Sequence, residues 1–486
     1  FSMHHADGNR GGYRDVSIAV TRSNITVLAA SSGCSTFSFS AVGGMAPRAA
    51  LSLEDVNVNF DAVAMTVRSP LGEALSLSGR NIRRMSRTRW RLSSNVSSSI
   101  IMTCGIVSSL LNFNDDTGTA APVPALLSDT LMELAGVTVH TVASNGRAET
   151  VSFFTFASAL IVRNVAIRVL HGARLVAVSH ASDVTLNVGF RHGTTLWMWN
   201  VSVLIAHACE LWASVDTPMR TAEEAPAVGN AAVMVNSRRI NDVAAQLRLY
   251  QFTVMVAEET SLTATAGRDS VNHAVNVFVF AYARSAGTAI AYHRQVYLVV
   301  MNSALVALAP TVDERSCARN LVVYAGLDNG GAATIVASDL RLIFEFSAPH
   351  RHRLLAAAGG ASHQIVLLAD RDFIGANVSV HVRNVSRDYD DGRALREGSR
   401  LGPLWTDGIV DKLLSDGVAA ALPTPLYFSV AMASATAAVT TSHLIIFLLD
   451  RQPGGALPLP ALLLLSAGSR PISWLSAPLY DWELKS

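Results

Sequence analysis

Residues 162–179, VRNVAIRVLHGARLVAVS, lie over residues 198–215, MWNVSVLIAHACELWASV, at a constant offset of 36. Asn164 falls on Asn200, Val165 on Val201, Ile167 on Val203, Val169 on Ile205, His171 on His207 and Leu175 on Leu211. A third copy, LYQFTVMVAEETSLTATA at 249–266, has Gln251 at the Asn position. Three more, at 13–30, 52–69 and 293–310, are one residue shorter in the middle, and partial copies stand at 338–346 and 375–382. The shared unit is Asn, Asp or Gln, an alternating apolar run, a short polar break and a second alternating run. Such a unit cannot bury its apolar face alone, so the chain must stack its copies.

Alternation with period two in segments rich in Val, Ile, Leu and Thr is the strand signal. The unit therefore predicts two short strands and a turn, with DVTLNVG at 183–189 as a further strand between two copies. The expected fold is mainly β, a right-handed parallel β-helix solenoid in which Val165, Ile167 and Val169 point inward. Tandem β-sandwiches are the alternative. The recurrent Asn or Asp has two readings: a side chain at a bend that bonds its equivalent in the next coil, or a residue that only starts a strand after a surface loop. Two segments read as helices, 121–136 with Ser128 and Asp129 as caps, and 408–422. The expected division is a repeat domain over 1–391, a linker over 392–408 and a mixed cap over 409–486.

The repeat also judges the most suggestive chemical cluster, His207, Cys209 and Glu210. In the neighbouring copy Ala173 stands for Cys209 and Arg174 for Glu210, and in the third copy Glu258 stands for His207. Metal ligands have to be fixed together, and these drift independently. Cys34, Cys104, Cys209 and Cys317 stand about a hundred residues apart with no Cys-x-x-Cys pair, which speaks against structural zinc. His207 then reads as a turn residue and Cys209 as a small apolar filler, and no metal or cofactor is expected.

A net charge of +1 gives no general pull toward nucleic acid or acidic lipid. The apolar runs 443–449 and 456–468 are shorter than the ~20 residues of a membrane helix, so no membrane span is expected within the chain. No signal peptide is legible, and the chain, which starts at Phe1, reads as a piece of a longer product or as one that lost its start. Basic residues are almost all arginine, with Lys412 and Lys485 the exceptions.

The RNV, NVSV and DVTLNV units, the arginine-dominated composition and the long irregular repeats over residues 10 to 390 resemble the dispersed gene family of trypanosomatid surface proteins. The resemblance implies a large surface or secreted protein with pectin-lyase-like β-helical stretches, membrane segments near its C-terminus and an adhesive role, and it carries no catalytic residues. Five sequons agree with export: Asn24, Asn95, Asn200, Asn377 and Asn384. Asn200 and Asn377 occupy the repeat's Asn position, where burial is expected to hinder modification, and Asn95 in a Ser-rich stretch is the best acceptor.

Two functional readings follow. An enzyme of the polysaccharide lyase or hydrolase kind needs paired carboxylates at a set separation. The densest acidic stretches, Asp388, Asp390 and Asp391, and Asp115 with Asp116, both read as solvated turns. The other reading is a non-enzymatic adhesin or plain scaffold. Its best binding feature is RNIRRMSRTRWRL at 80–92, where Arg83, Arg84, Arg87 and Arg89 attract an anionic glycan or matrix protein and Trp90 stacks on a sugar ring.

Overall fold

The computed structural model describes residues 2–5, 10–29, 34–41, 50–80, 82–94, 99–105, 107–115, 124–155, 158–181, 185–217, 228–236, 244–266, 273–283, 288–309, 317–327, 332–345, 354–358, 361–369 and 372–383, with short strands at 430–431, 440–441, 444–449 and 461–465. Asp388, Asp390, Asp391, Asn95, Asn384 and the candidate helix 408–422 lie outside the described residues.

The described strands form three sheets of eleven, sixteen and nine strands. Successive strands visit the sixteen-, nine- and eleven-stranded sheets in turn. Leu160–Leu170, Arg174–Ala181 and Thr185–His192 make one coil, and Thr195–Ile205, Glu210–Thr217 and Val228–Asn236 make the next. Each strand pairs in parallel with its counterpart one coil on, so Val165 sits opposite Val201 and Leu175 opposite Leu211. The fold is a parallel β-helix, and the offset of 36 is one turn of it. The single antiparallel pair described joins Leu444–Leu448 to 461–465.

The alternation sorts side chains as the sequence predicts. Val165, Ile167 and Val169 are buried in one continuous core with Val201, Val203 and Ile205. Each such residue contributes roughly 1.5–3 kcal/mol relative to exposure. Inside the same core Phe113, Phe153 and Phe190 stack at centroid distances of 5.3 and 5.0 Å, rung upon rung.

Two corners turn the chain, and both use the left-handed region. In the sixteen-stranded sheet the corner residues are Asp15, Asp55, Arg87, Asp129, Asn164, Asn200, Gln251, Gln295 and Asp339, with φ between 48° and 59°. Asn and Asp tolerate this region best among residues with a Cβ. Their side chains join the coils: Asn200 Nδ2 donates to Asn164 Oδ1 at 3.0 Å, and Asn164 Nδ2 donates to Asp129 Oδ1 at 2.8 Å. The recurrent Asn is thus a bend residue bonded to its equivalent in the next coil. The ladder lies on the surface, so Asn200 is exposed, contrary to the burial expected of it.

The second corner explains why some copies are longer in the middle. The short copies turn on one left-handed residue, Arg22, Ala62 or Asn302, whereas the long copies use two, His171–Gly172, His207–Ala208 and Glu258–Glu259.

The helix expected over 121–136 is a strand, Ala125–Ala135. Its apolar residues do satisfy a helical spacing, but Asp129 is a left-handed corner residue and not a cap. The bend shifts the phase of the alternation at that point. Ladders on both sides, to Arg84–Ser86 and Arg89–Ser93 and to Leu160–Leu170, then outweigh local propensity.

Candidate ligand-binding face

The arginine segment 82–93 forms two strands of the sixteen-stranded sheet, Ile82–Ser86 and Arg89–Ser93, with Arg87 at the corner between them. Alternation turns Arg89 and Arg91 outward and Trp90 and Leu92 inward. Trp90 is 0% exposed, packs edge-on against Phe39 and Phe113, and donates from Nε1 to Thr88 Oγ1 at 3.1 Å. It cannot stack on a sugar ring. The strand period that places arginines at 89 and 91 outside forces residue 90 into the core.

Arg84, Arg87 and Arg89 are exposed and Arg83 is half-buried, but much of this charge is matched. Arg87 grips Asp55 through two bonds of 2.7 and 2.8 Å, Arg84 lies 3.5 Å from Glu54, and Arg91 lies 3.0 Å from Glu133. The Asp55 carboxyl is held below its ordinary range first by the Arg87 hydrogen bond.

A second arginine group lies farther along the same sheet. Register aligns Ile161, Trp197, Arg248, Tyr292 and Val336 in one outward row, and Arg163, Trp199, Tyr250, Arg294 and Ser338 in the row beside it. Trp199 stacks on Tyr250 at 5.0 Å and 8°, and the Arg163 guanidinium lies 5.6 Å from the Trp199 ring centroid. The Arg248 guanidinium lies 4.9 Å from the Trp197 centroid and 5.4 Å from that of Tyr292. Neither row contains a carboxylate, and among the described residues Arg163, Arg248 and Arg294 have no acidic partner. Arg163 and Arg294 are exposed and Arg248 is half-buried. A guanidinium stacked on rings uses its face and keeps in-plane donors for a carboxylate or sulfate. The linear sequence does not display this face, because its residues are scattered over 163–294 and meet only through register.

The remaining polar clusters have structural partners. His171 and His207 stack at 4.9 Å on the second corner, and Glu258 pairs with His207 Nδ1. Cys209 is fully buried and its thiol is raised to about 11 by burial, so it acts as an apolar filler. Glu149 and Arg191 form a buried ion pair. Burial alone would raise the Glu149 carboxyl, and the Arg191 and Arg147 guanidiniums instead hold it below its ordinary value. Among the described residues no three His, Cys, Asp or Glu side chains are grouped as metal ligands.

Of the sequon residues, Asn24 opens the strand Asn24–Leu28 with its side chain exposed. Asn200 is committed to the corner ladder. Asn377 takes the next corner place by register after Asp339.

Three parallel sheets and two stacked corners define the class of the protein, a β-helical solenoid. No family description, curated protein or solved structure matched the chain. Among the described residues no helix is long and apolar enough to cross a membrane.

Proposed function

We propose that the protein is a non-enzymatic repeat scaffold, at a cell surface or secreted, that adheres to an anionic glycan through the outer face of its sixteen-stranded sheet. The observation that carries this reading is the group Arg163, Arg248 and Arg294, three cations without a carboxylate partner among the described residues, two of them, Arg163 and Arg248, seated on aromatic rings. The sequons and the resemblance of the repeat to trypanosomatid surface proteins support the location. The segment 82–93 becomes a secondary contact, since its arginines face Glu54, Asp55 and Glu133.

Heparin-affinity chromatography tests the reading. The variant Arg163→Ser/Arg294→Ser is expected to elute at clearly lower salt than wild type, because screening weakens such contacts. A variant with Arg83, Arg84, Arg87 and Arg89 changed to Ser is expected to shift less. Equal retention of all three proteins would leave only a scaffold. Release of product from a polyuronide by the wild-type chain would overturn the non-enzymatic part.

A further inference from the structure

Resting on that glycan-binding reading, we infer that the ligand is a linear acidic polysaccharide lying along the solenoid axis, with anionic groups that bridge Arg163 and Arg294. These two arginines share one outward row and stand three strands apart, with Trp199 and Tyr250 between them. Three strand spacings of ~4.8 Å put their Cα atoms about 14 Å apart. Arg248 lies in the adjacent row, one strand before Arg294, so the positive charge runs along the axis.

Ring geometry narrows the ligand further. Single-stranded nucleic acid binds by stacking bases on open aromatic faces. Here Trp199 is sandwiched between the Arg163 guanidinium and Tyr250, and the Trp197 and Tyr292 rings flank the Arg248 guanidinium. The stacking runs along the axis, with Arg163 and Arg294 exposed at the surface, whereas Arg248 Nε and Trp197 Nε1 are buried. Duplex nucleic acid is held by basic side chains that neutralise its phosphates, and its bases and phosphates offer nothing that uses the narrow axial line of three arginines. A stiff chain carrying carboxylate or sulfate at regular intervals matches cations fixed on a rigid sheet.

The consequence is a length threshold. Calorimetric titration with size-defined heparin oligosaccharides, from a sulfated disaccharide upward, is expected to show a step in affinity of at least about tenfold once the chain can span both arginines. Arg294→Ser is expected to remove the step while leaving short-chain affinity at the Arg163 end. Ser338→Arg extends the row by one strand and is expected to strengthen only chains longer than the threshold. Affinity that rises smoothly with length, or a step that survives in Arg163→Ser/Arg294→Ser, overturns the axial bridge and leaves glycan binding intact. Tighter binding of polyglutamate or an oligonucleotide of equal charge overturns the choice of polysaccharide. If wild type binds no oligosaccharide of any length, the glycan reading itself fails.

Discussion

At the scale of the residue, the chain uses asparagine in two opposite environments. The outer corner asparagines face solvent and choose a backbone conformation. A second set, Asn187, Asn230, Asn276 and Asn320, is fully buried along the eleven-stranded sheet. There Thr150 Oγ1 donates to Asn187 Oδ1 at 2.9 Å, and Asn187, Asn230 and Asn276 each donate to the next amide oxygen at 2.7 Å. Asn230 and Asn276 also donate to the backbone oxygens of Thr263 and Val306 on the nine-stranded sheet. A buried donor or acceptor left unpaired costs ~1–3 kcal/mol. Asn230→Ala orphans groups on both neighbours and is expected to cost roughly 2–5 kcal/mol. Asn200→Ala, at the exposed ladder, should cost about 2 kcal/mol or less. Chemical denaturation of the two variants checks the order, and an equal loss would contradict the assigned environments.

At the scale of the element, the strand Thr288–Met301 carries one inward group that does not belong in an apolar core. His293 lies between Leu249 and Ala337 in its row, and neither ring nitrogen has a hydrogen-bond partner. Burial pushes its pKa from 6.5 down to about 4. The folded state therefore holds the imidazole neutral, whereas the unfolded chain takes up its proton near pH 6.5. Stability from this group is complete above pH 6.5 and declines as pH falls toward 4, by roughly 3 kcal/mol over the window. Melting temperatures between pH 7 and 4 should drop more steeply for wild type than for His293→Leu. Parallel pH profiles would show that other groups govern acid sensitivity.

At the scale of the whole molecule, each coil touches only the coils above and below it, so damage should remain local. Ile167→Asp places an unpaired charge in the core of the coil 160–192. Hydrogen exchange is expected to accelerate there and in the flanking segments 124–155 and 195–236, while 288–345 keeps its protection. Uniform acceleration across all coils would mean that the solenoid unfolds as one cooperative body.

Sequence alone determined the coil, because stacked copies share one environment and environment writes itself into residue type. The offset of 36 and the inward alternation around Val165 were legible for that reason, while the recurrence at Asn164 was legible with two readings that only the structure separates. The difference in repeat length also recorded the one- or two-residue turn at Arg22 or His171. Two coils escaped notice: Arg87 breaks the Asn, Asp or Gln pattern and looked like part of a basic patch, and Asp129 keeps it but lies among apolar residues that also satisfy a helical spacing, so that it looked like a helix cap. The buried Asn187 ladder was legible in principle, since LNV, GNA, VNV and RNL recur, but their spacing varies with the loops between coils. Tertiary structure alone decided which arginines have carboxylates opposite them and which do not. Arg163, Arg248 and Arg294 are far apart in sequence and become neighbours only through strand register, while Glu54 and Asp55 reach the 82–93 segment across one rung. Charge pairing acts over a few ångströms between coils, and a linear sequence carries that distance only after the chain has been wound.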